Sequence, residues 1–248
     1  MSTSTTQPAR RGGLSNVVDI IVAPSAAFGR LREVPTWGWA FLVGAVLGIA
    51  GTVMAIPAVM HALDLTLPAQ LAADPSTAKL PPDQQQKQIA MVMSISKTVG
   101  KFFWVFAPVG LLIVGLVQAL GMTIANAVAH GDGGFKKYFA LSLNVAIVGF
   151  GLNSLVVGII VLVRGPDSFE TPTAIQAVIP SLAMLVPGAH GALAGFLGAF
   201  NVFYLWATAL LALGMTVVGR LSRSAAWTTA IVLLVLGAGY LAYGARNG

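Results

Sequence analysis

Residues 102–128 read FFWVFAPVGLLIVGLVQALGMTIANAV, 27 consecutive positions with no Asp, Glu, Lys or Arg. A helix of about 20 apolar residues spans a hydrocarbon core of about 30 Å, so this stretch alone places the chain in a bilayer. Upstream, Val92, Ile95, Val99, Phe102, Phe103 and Phe106 fall at three-and-four spacing. That pattern predicts that the same helix runs back toward Pro82 with one continuous apolar face and protrudes into water. Four further stretches free of formal charge meet or approach the spanning length, at about 37–60, 138–163, 192–218 and 225–243.

The composition excludes the main alternative. Charged residues supply 9% of the 248 positions and hydrophobic ones 56%, with mean hydropathy +0.83. Soluble domains carry charge at about a quarter of positions, so this chain could not cover a water-facing surface. The expected fold class is all-α, an integral membrane helical bundle of five transmembrane helices with an N-terminal interfacial amphipathic helix. Residues 1–13 are expected to form a disordered tail, 14–34 cytoplasmic interfacial helices and 35–244 the membrane domain, with outer loops at 61–101 and 164–191. In the first of these loops Pro68, Pro75, Pro81 and Pro82 are expected to break regular structure. In the second, the apolar run 174–186 is divided by Pro180 and closed by Pro187 and Gly188. It is too short to span, which leaves an interfacial or re-entrant helix. A sixth span running on through Pro187 and His190 is the competing reading and would place the C-terminus inside.

Orientation follows from the bases, because Lys and Arg near span ends are retained on the cytoplasmic side. Arg10, Arg11, Arg30, Arg32, Lys136, Lys137, Arg220 and Arg223 fall on the N-terminal face. The other face holds six bases but also Asp64, Asp74, Asp83, Asp167 and Glu170. The expectation is N-terminus inside and C-terminus outside. The formal charge of +6 is thereby read as topology and lipid contact, with no nucleic-acid partner. Before the first span, Leu14, Val17, Val18 and Ile21 have helical spacing, with Asn16 and Asp19 on other faces, a helix lying on the membrane. Pro24 interrupts it, and Phe28 and Leu31 beside Arg30 and Arg32 form a second amphipathic turn able to touch anionic lipid. Trp37 and Trp39 mark the interface. Arg10–Arg11 does not open a twin-arginine signal, because Asp19 breaks the apolar run that would follow.

Catalytic and ion-coupling groups inside a bilayer are costly and are kept for work, and the five expected spans contain no ionisable acid or base. Their amides and hydroxyls include Gln118, Asn126, Asn144, Asn153 and Asn201. These either line a solute path or bond across helices. His61, His130 and His190 lie at span ends on both sides, which disfavours a shared metal, and the chain has no Cys. No cofactor is expected. Gly131-Asp132-Gly133-Gly134 lacks the Lys-Ser or Lys-Thr of a phosphate loop and reads as a hairpin turn. Gly44 with Gly48, and Gly191 with Gly195, have the four-residue spacing that lets helix backbones approach. That contact could serve packing within the chain or with a second copy.

The order of segments resembles the Yip (Ypt/Rab-interacting protein) domain family of small five-span membrane proteins. The resemblance covers roughly Leu14 to Tyr243. It rests on Val17-Val18-Asp19-Ile20-Ile21-Val22-Ala23-Pro24 leading to Phe28 and Trp37, on Gly134-Phe135-Lys136-Lys137-Tyr138-Phe139-Ala140 entering the third span, and on Phe200-Asn201-Val202-Phe203-Tyr204-Leu205-Trp206 followed by Leu213-Gly214-Met215. The resemblance implies a non-enzymatic integral membrane protein whose eukaryotic relatives bind Rab-type GTPases or one another. Those relatives carry a longer soluble N-terminal region, and this compact Ala- and Gly-rich chain is more similar to bacterial members of the inner membrane. The leading expectation is a scaffold or adaptor contacting other membrane proteins or itself, with Arg30, Arg32, Lys136, Lys137, Arg220 and Arg223 as its recognition or lipid-contact surface. The alternative is a small-solute transporter or channel using the polar residues of the second to fourth spans.

Overall fold

A computed structural model of the chain describes residues 13–246; of the tail expected at 1–13, residues 1–12 with Arg10 and Arg11 lie outside the described residues, and Gly13 opens a helix. The described residues form helices and no strand. The elements are α1 (Gly13–Val22), α2 (Pro24–Glu33), α3 (Gly38–Ala73), α4 (Pro75–Ala78), α5 (Pro82–Phe102), α6 (Ala107–Val128), α7 (Phe135–Ala146), α8 (Asn153–Arg164), α9 (Pro172–Gln176), α10 (Gly191–Gly198), α11 (Val202–Val218) and α12 (Arg223–Ala245). A 3-10 turn at Phe103–Phe106 joins α5 to α6, and a π-helical segment at Ile147–Leu152 joins α7 to α8. Among the described residues, four continuous helices are long and apolar enough to cross a membrane: α3, α5 with α6 over Pro82–Val128, α7 with α8 over Phe135–Arg164, and α12. The 17-residue α11 is a shorter apolar helix.

Residue 192–218, read as one span in the sequence, is divided. Helix α10 ends at Gly198, and α11 begins after Asn201, whose side-chain oxygen accepts from the backbone N–H groups of Phe203 and Tyr204. Asn201 also forms an isolated antiparallel bridge with Ser181, and the Leu182 N–H donates to the Phe200 carbonyl at 3.3 Å. The chain between α8 and α10 therefore folds back to meet the break. Its pieces, at Pro166–Ser168, α9 and Leu182–Leu185, are 3, 5 and 4 residues long, so no continuous sixth helix forms there. Phe169 and Ile175 from this segment are buried against Ala58 and Val161.

The segment expected as an outer loop at 61–101 is mostly a helical hairpin. Pro68 lies within α3, while Pro75 and Pro82 occupy the first turns of α4 and α5. At a first helical turn the missing N–H of proline removes no hydrogen bond. At 36 residues, α3 is about 54 Å long, well beyond a hydrocarbon core of about 30 Å. The hairpin is pinned by Lys97 on Asp64 and by Gly100, where a Cβ would come 2.5 Å from the Met60 methyl. Of the expected stripe, Ile95, Val99, Phe102, Phe103 and Phe106 are exposed, joined by Met91, whereas Val92 is partly buried.

Glycine sets the closest helix crossing. A Cβ on Gly51 would lie 2.1 Å from the Ser154 carbonyl oxygen, and one on Gly158 would lie 2.5 Å from that of Gly51, so α3 and α8 meet backbone to backbone. At Gly48 a Cβ would strike the Phe150 ring, and at Gly44 it would graze Leu111. Gly195 packs against Leu241 and Ala242 of α12, while Gly191 opens α10 with φ +52. Small residues at these positions admit the close approach on which helix association in lipid depends.

Gly51→Ala should lower stability by about 1–3 kcal/mol, since its methyl meets fixed backbone. Gly237, with open space at its Cβ position, should gain up to about 1 kcal/mol as Ala through helix propensity. Thermal unfolding of the two variants in one detergent checks the contrast, and equal effects would contradict the packing.

Candidate functional site

The six bases singled out in the sequence lie at one end of the bundle, and a small polar clip builds that end. Helix α6 stops at Val128; His130 takes a left-handed φ of 52°, and the chain reverses through Gly131 to Gly134 into α7. Asn126, 7% exposed, closes this turn from inside. Its Nδ2 donates to the carbonyls of Gly131 (3.0 Å) and Gly133 (3.3 Å), and its Oδ1 accepts from the Gly133 N–H (3.0 Å) and the Tyr138 hydroxyl (2.7 Å). One largely buried amide thus satisfies two donors and two acceptors of the turn.

The α11–α12 turn is fastened to the first. The Asp132 N–H donates to the Gly219 carbonyl at 2.8 Å, and Arg220, itself left-handed at φ 52°, reaches the Asp132 carboxylate at 3.2 Å. Fully buried Tyr138 stands between the turns, and its hydroxyl lies where a Cβ on Gly133 or Gly219 would have to go. These two glycines are required by close approach.

Helix α2 completes the end. Phe28 and Leu31 are fully buried in the same cluster as Tyr138, Met215, Val218 and Leu221. Arg30 is not free: its Nε donates to Asn16 at 2.7 Å, and its guanidinium is paired with Asp19. Arg220 is paired with Asp132, across an exposed contact that contributes little energy. Lys136 and Arg223 are exposed, Arg32 and Lys137 half-exposed, and among the described residues these four form no ion pair. They constitute the uncompensated charge of the face.

The polar residues at span depth are brought together in pairs and caps. Gln118 accepts from the Ser142 hydroxyl at 2.6 Å, joining α6 to α7. Asn144, 1% exposed, donates to Ala140 (2.8 Å) and to the Thr36 carbonyl (3.0 Å), which ties α7 to the entry of α3. Asn201 caps α11 and donates back to Gly198 at 3.2 Å. Asn153 differs, since its Oδ1 is buried and has no partner. It follows the π-helical segment, where α3 and α11 also pack. The histidines stay apart in role: His61 Nδ1 lies 3.7 Å from Asp167, His130 is in the α6–α7 turn and His190 precedes α10. Sequence reasoning missed the Asn126–Tyr138 clip; its signal was an Asn five residues before the Gly-rich turn and a Tyr four residues after it.

Replacing Asn126 by Ala leaves the Gly133 N–H and the Tyr138 hydroxyl unpaired and should cost about 2–4 kcal/mol. The same change at Asn153 removes an unpaired acceptor and should cost much less. Unfolding of both variants in the same bilayer mimetic measures the difference.

No protein-family model matches the chain, and no solved structure matches it. It is similar to Membrane protein YknW of Bacillus subtilis (strain 168), 29% identical over 215 residues that cover 86% of this chain and 83% of that protein. The apolar helices and this likeness together support a multi-pass integral membrane protein.

Proposed function

We propose that this chain is a non-enzymatic scaffold or adaptor of the bacterial inner membrane that presents its basic end to the cytoplasm, in the manner its Yip-like segment order implies. One observation carries the reading: two turns locked by Asn126 and by the Asp132–Gly219 bond hold Lys136, Lys137 and Arg223 on a preformed face. A preformed charged face binds without first paying to order its loops. The reading includes a fifth crossing, made of α10 and α11 as one interrupted helix. Helix α10 packs along the end of α12 and α11 along α7, α12 and α2, which supports reading the two halves in series. With five crossings the N-terminus is inside and the C-terminus outside, in keeping with the positive-inside rule.

The solute-pathway reading is less well supported. Asn126, Asn144 and Asn201 are at most 7% exposed and bond to backbone, as expected of groups that fasten helices.

Two experiments test this proposal. A topology reporter fused after Gly248 should respond from the outer side, and a cytoplasmic response would overturn the fifth crossing. In-cell crosslinking of the whole chain should capture discrete partners that are lost when Lys136, Lys137 and Arg223 are changed to Gln. Removing the N-terminal helices would be a poor control, because Phe28 and Leu31 are core residues. Capture of the same proteins by parent and variant would refute the recognition surface.

A further inference from the structure

Helix α1 is built inside out. Its polar side chains, Asn16 and Asp19, are 4% and 9% exposed, whereas Leu14, Val18 and Val22 are 53%, 58% and 70% exposed. An amphipathic helix resting on a membrane surface turns its polar face to water. Here that face is turned inward, toward Arg30 of α2, which binds Asn16 and is paired with Asp19. The outward face is continued by Ile21, and its four exposed large side chains are aliphatic.

The position of α1 along the bundle gives the same sense. Val17 is buried with Ala40 and Ile147, and Val43 and Leu47 pack against that group. Ile147 lies 12 residues beyond Phe135, the start of α7, which is about 18 Å along a helical rise of 1.5 Å per residue. Gly13 abuts the Trp39 ring, where a Cβ would come 2.8 Å from Cδ1. On the adjoining helix, Leu42 and Val46 are exposed at 49% and 55%, within a segment long and apolar enough to cross a membrane. The aliphatic face of α1 therefore continues the apolar belt of α3.

We infer that α1 lies within the acyl-chain layer of the bilayer, with Leu14, Val18, Ile21 and Val22 against lipid tails and with the Asp19–Arg30 pair, bonded to Asn16, turned inward. The charge balance makes this placement feasible. An isolated ion in hydrocarbon is prohibitive, while a paired and hydrogen-bonded one is tolerated. Asp19, which breaks the apolar run of the sequence, is thereby the residue that compensates Arg30. The occupant of the exposed face is hydrocarbon, because Leu14, Val18, Ile21 and Val22 offer no donor, acceptor or charge to a polar partner.

The chain has no Cys, so a single introduced thiol reports without background. An environment-sensitive fluorophore on Val18→Cys, in vesicles of phosphatidylethanolamine and phosphatidylglycerol, should be quenched by lipids carrying a nitroxide on the acyl chain and not by aqueous iodide. It should match a label on Val46→Cys and differ from one on Ser224→Cys. Quenching by iodide would overturn the inference by placing α1 in water, and quenching by neither would overturn it by showing protein over the face. Adding Asp19→Asn, which leaves the Arg30 charge uncompensated, should raise iodide quenching at position 18 several-fold, and Arg30→Gln on top should reverse the rise. An unchanged signal in the Asp19→Asn protein would refute the role given to the pair. These readouts do not depend on any scaffold partner, so failure of the proposed function would leave them intact.

Discussion

At span depth there is no solvent to accept a stray hydrogen bond, and the architecture depends on meeting that constraint from within. Asn126 meets the same demand where the chain turns at the end of the bundle and its side chain is buried. Its single amide serves the carbonyls of Gly131 and Gly133, the Gly133 N–H and the Tyr138 hydroxyl, so a tight reversal between α6 and α7 can sit at the end of an apolar bundle. Asn201 solves the same problem where a helix is interrupted, by accepting from the first free N–H groups of α11. Asn144 and Gln118 solve it between neighbouring helices. The amide side chains of the spans are therefore largely fastenings, and the exposed bases are placed by what they fasten.

Close packing supplies the second support. Where Gly51 meets Ser154 and Gly158, backbones touch without side chains between them, and the long α3 is held against α8 along the part of its length that lies in the bundle. Beyond it, α3 and α5 continue as a hairpin. The basic end and the hairpin are thus opposite ends of the same helices, one locked by polar bonds around Tyr138 and the other carrying an open apolar stripe.

Much of this is legible in the sequence, for reasons that can be named. Long runs without charge identify α3, α6, α7 with α8, and α12, because length and apolarity are what a bilayer demands. The extension from Phe106 back through Val92 was readable because one apolar face persists at helical spacing. Proline misled in the outer segment: Pro75 and Pro82 start helices, and a proline's effect depends on whether it lies in a first turn. The break at Asn201 was hidden because Asn is ordinary in composition, and its capping role appears only with the backbone. Periodicity showed that α1 has two faces but not which faces water. That depends on Arg30, 11 residues beyond Asp19 and on another helix. For the site, the six bases were all visible; that Arg30 and Arg220 are paired while Lys136 and Arg223 are open was not.

In this arrangement the two turns at the basic end form one rigid face. The most direct test of that rigidity is the distance distribution between spin labels at Lys136 and Arg223, measured by double electron–electron resonance in lipid nanodiscs. The clip of Asn126 and the Asp132–Gly219 bond require a single narrow distribution that broadens when Asn126 is replaced by Ala. A broad or two-peaked distribution in the unaltered turns would contradict the account.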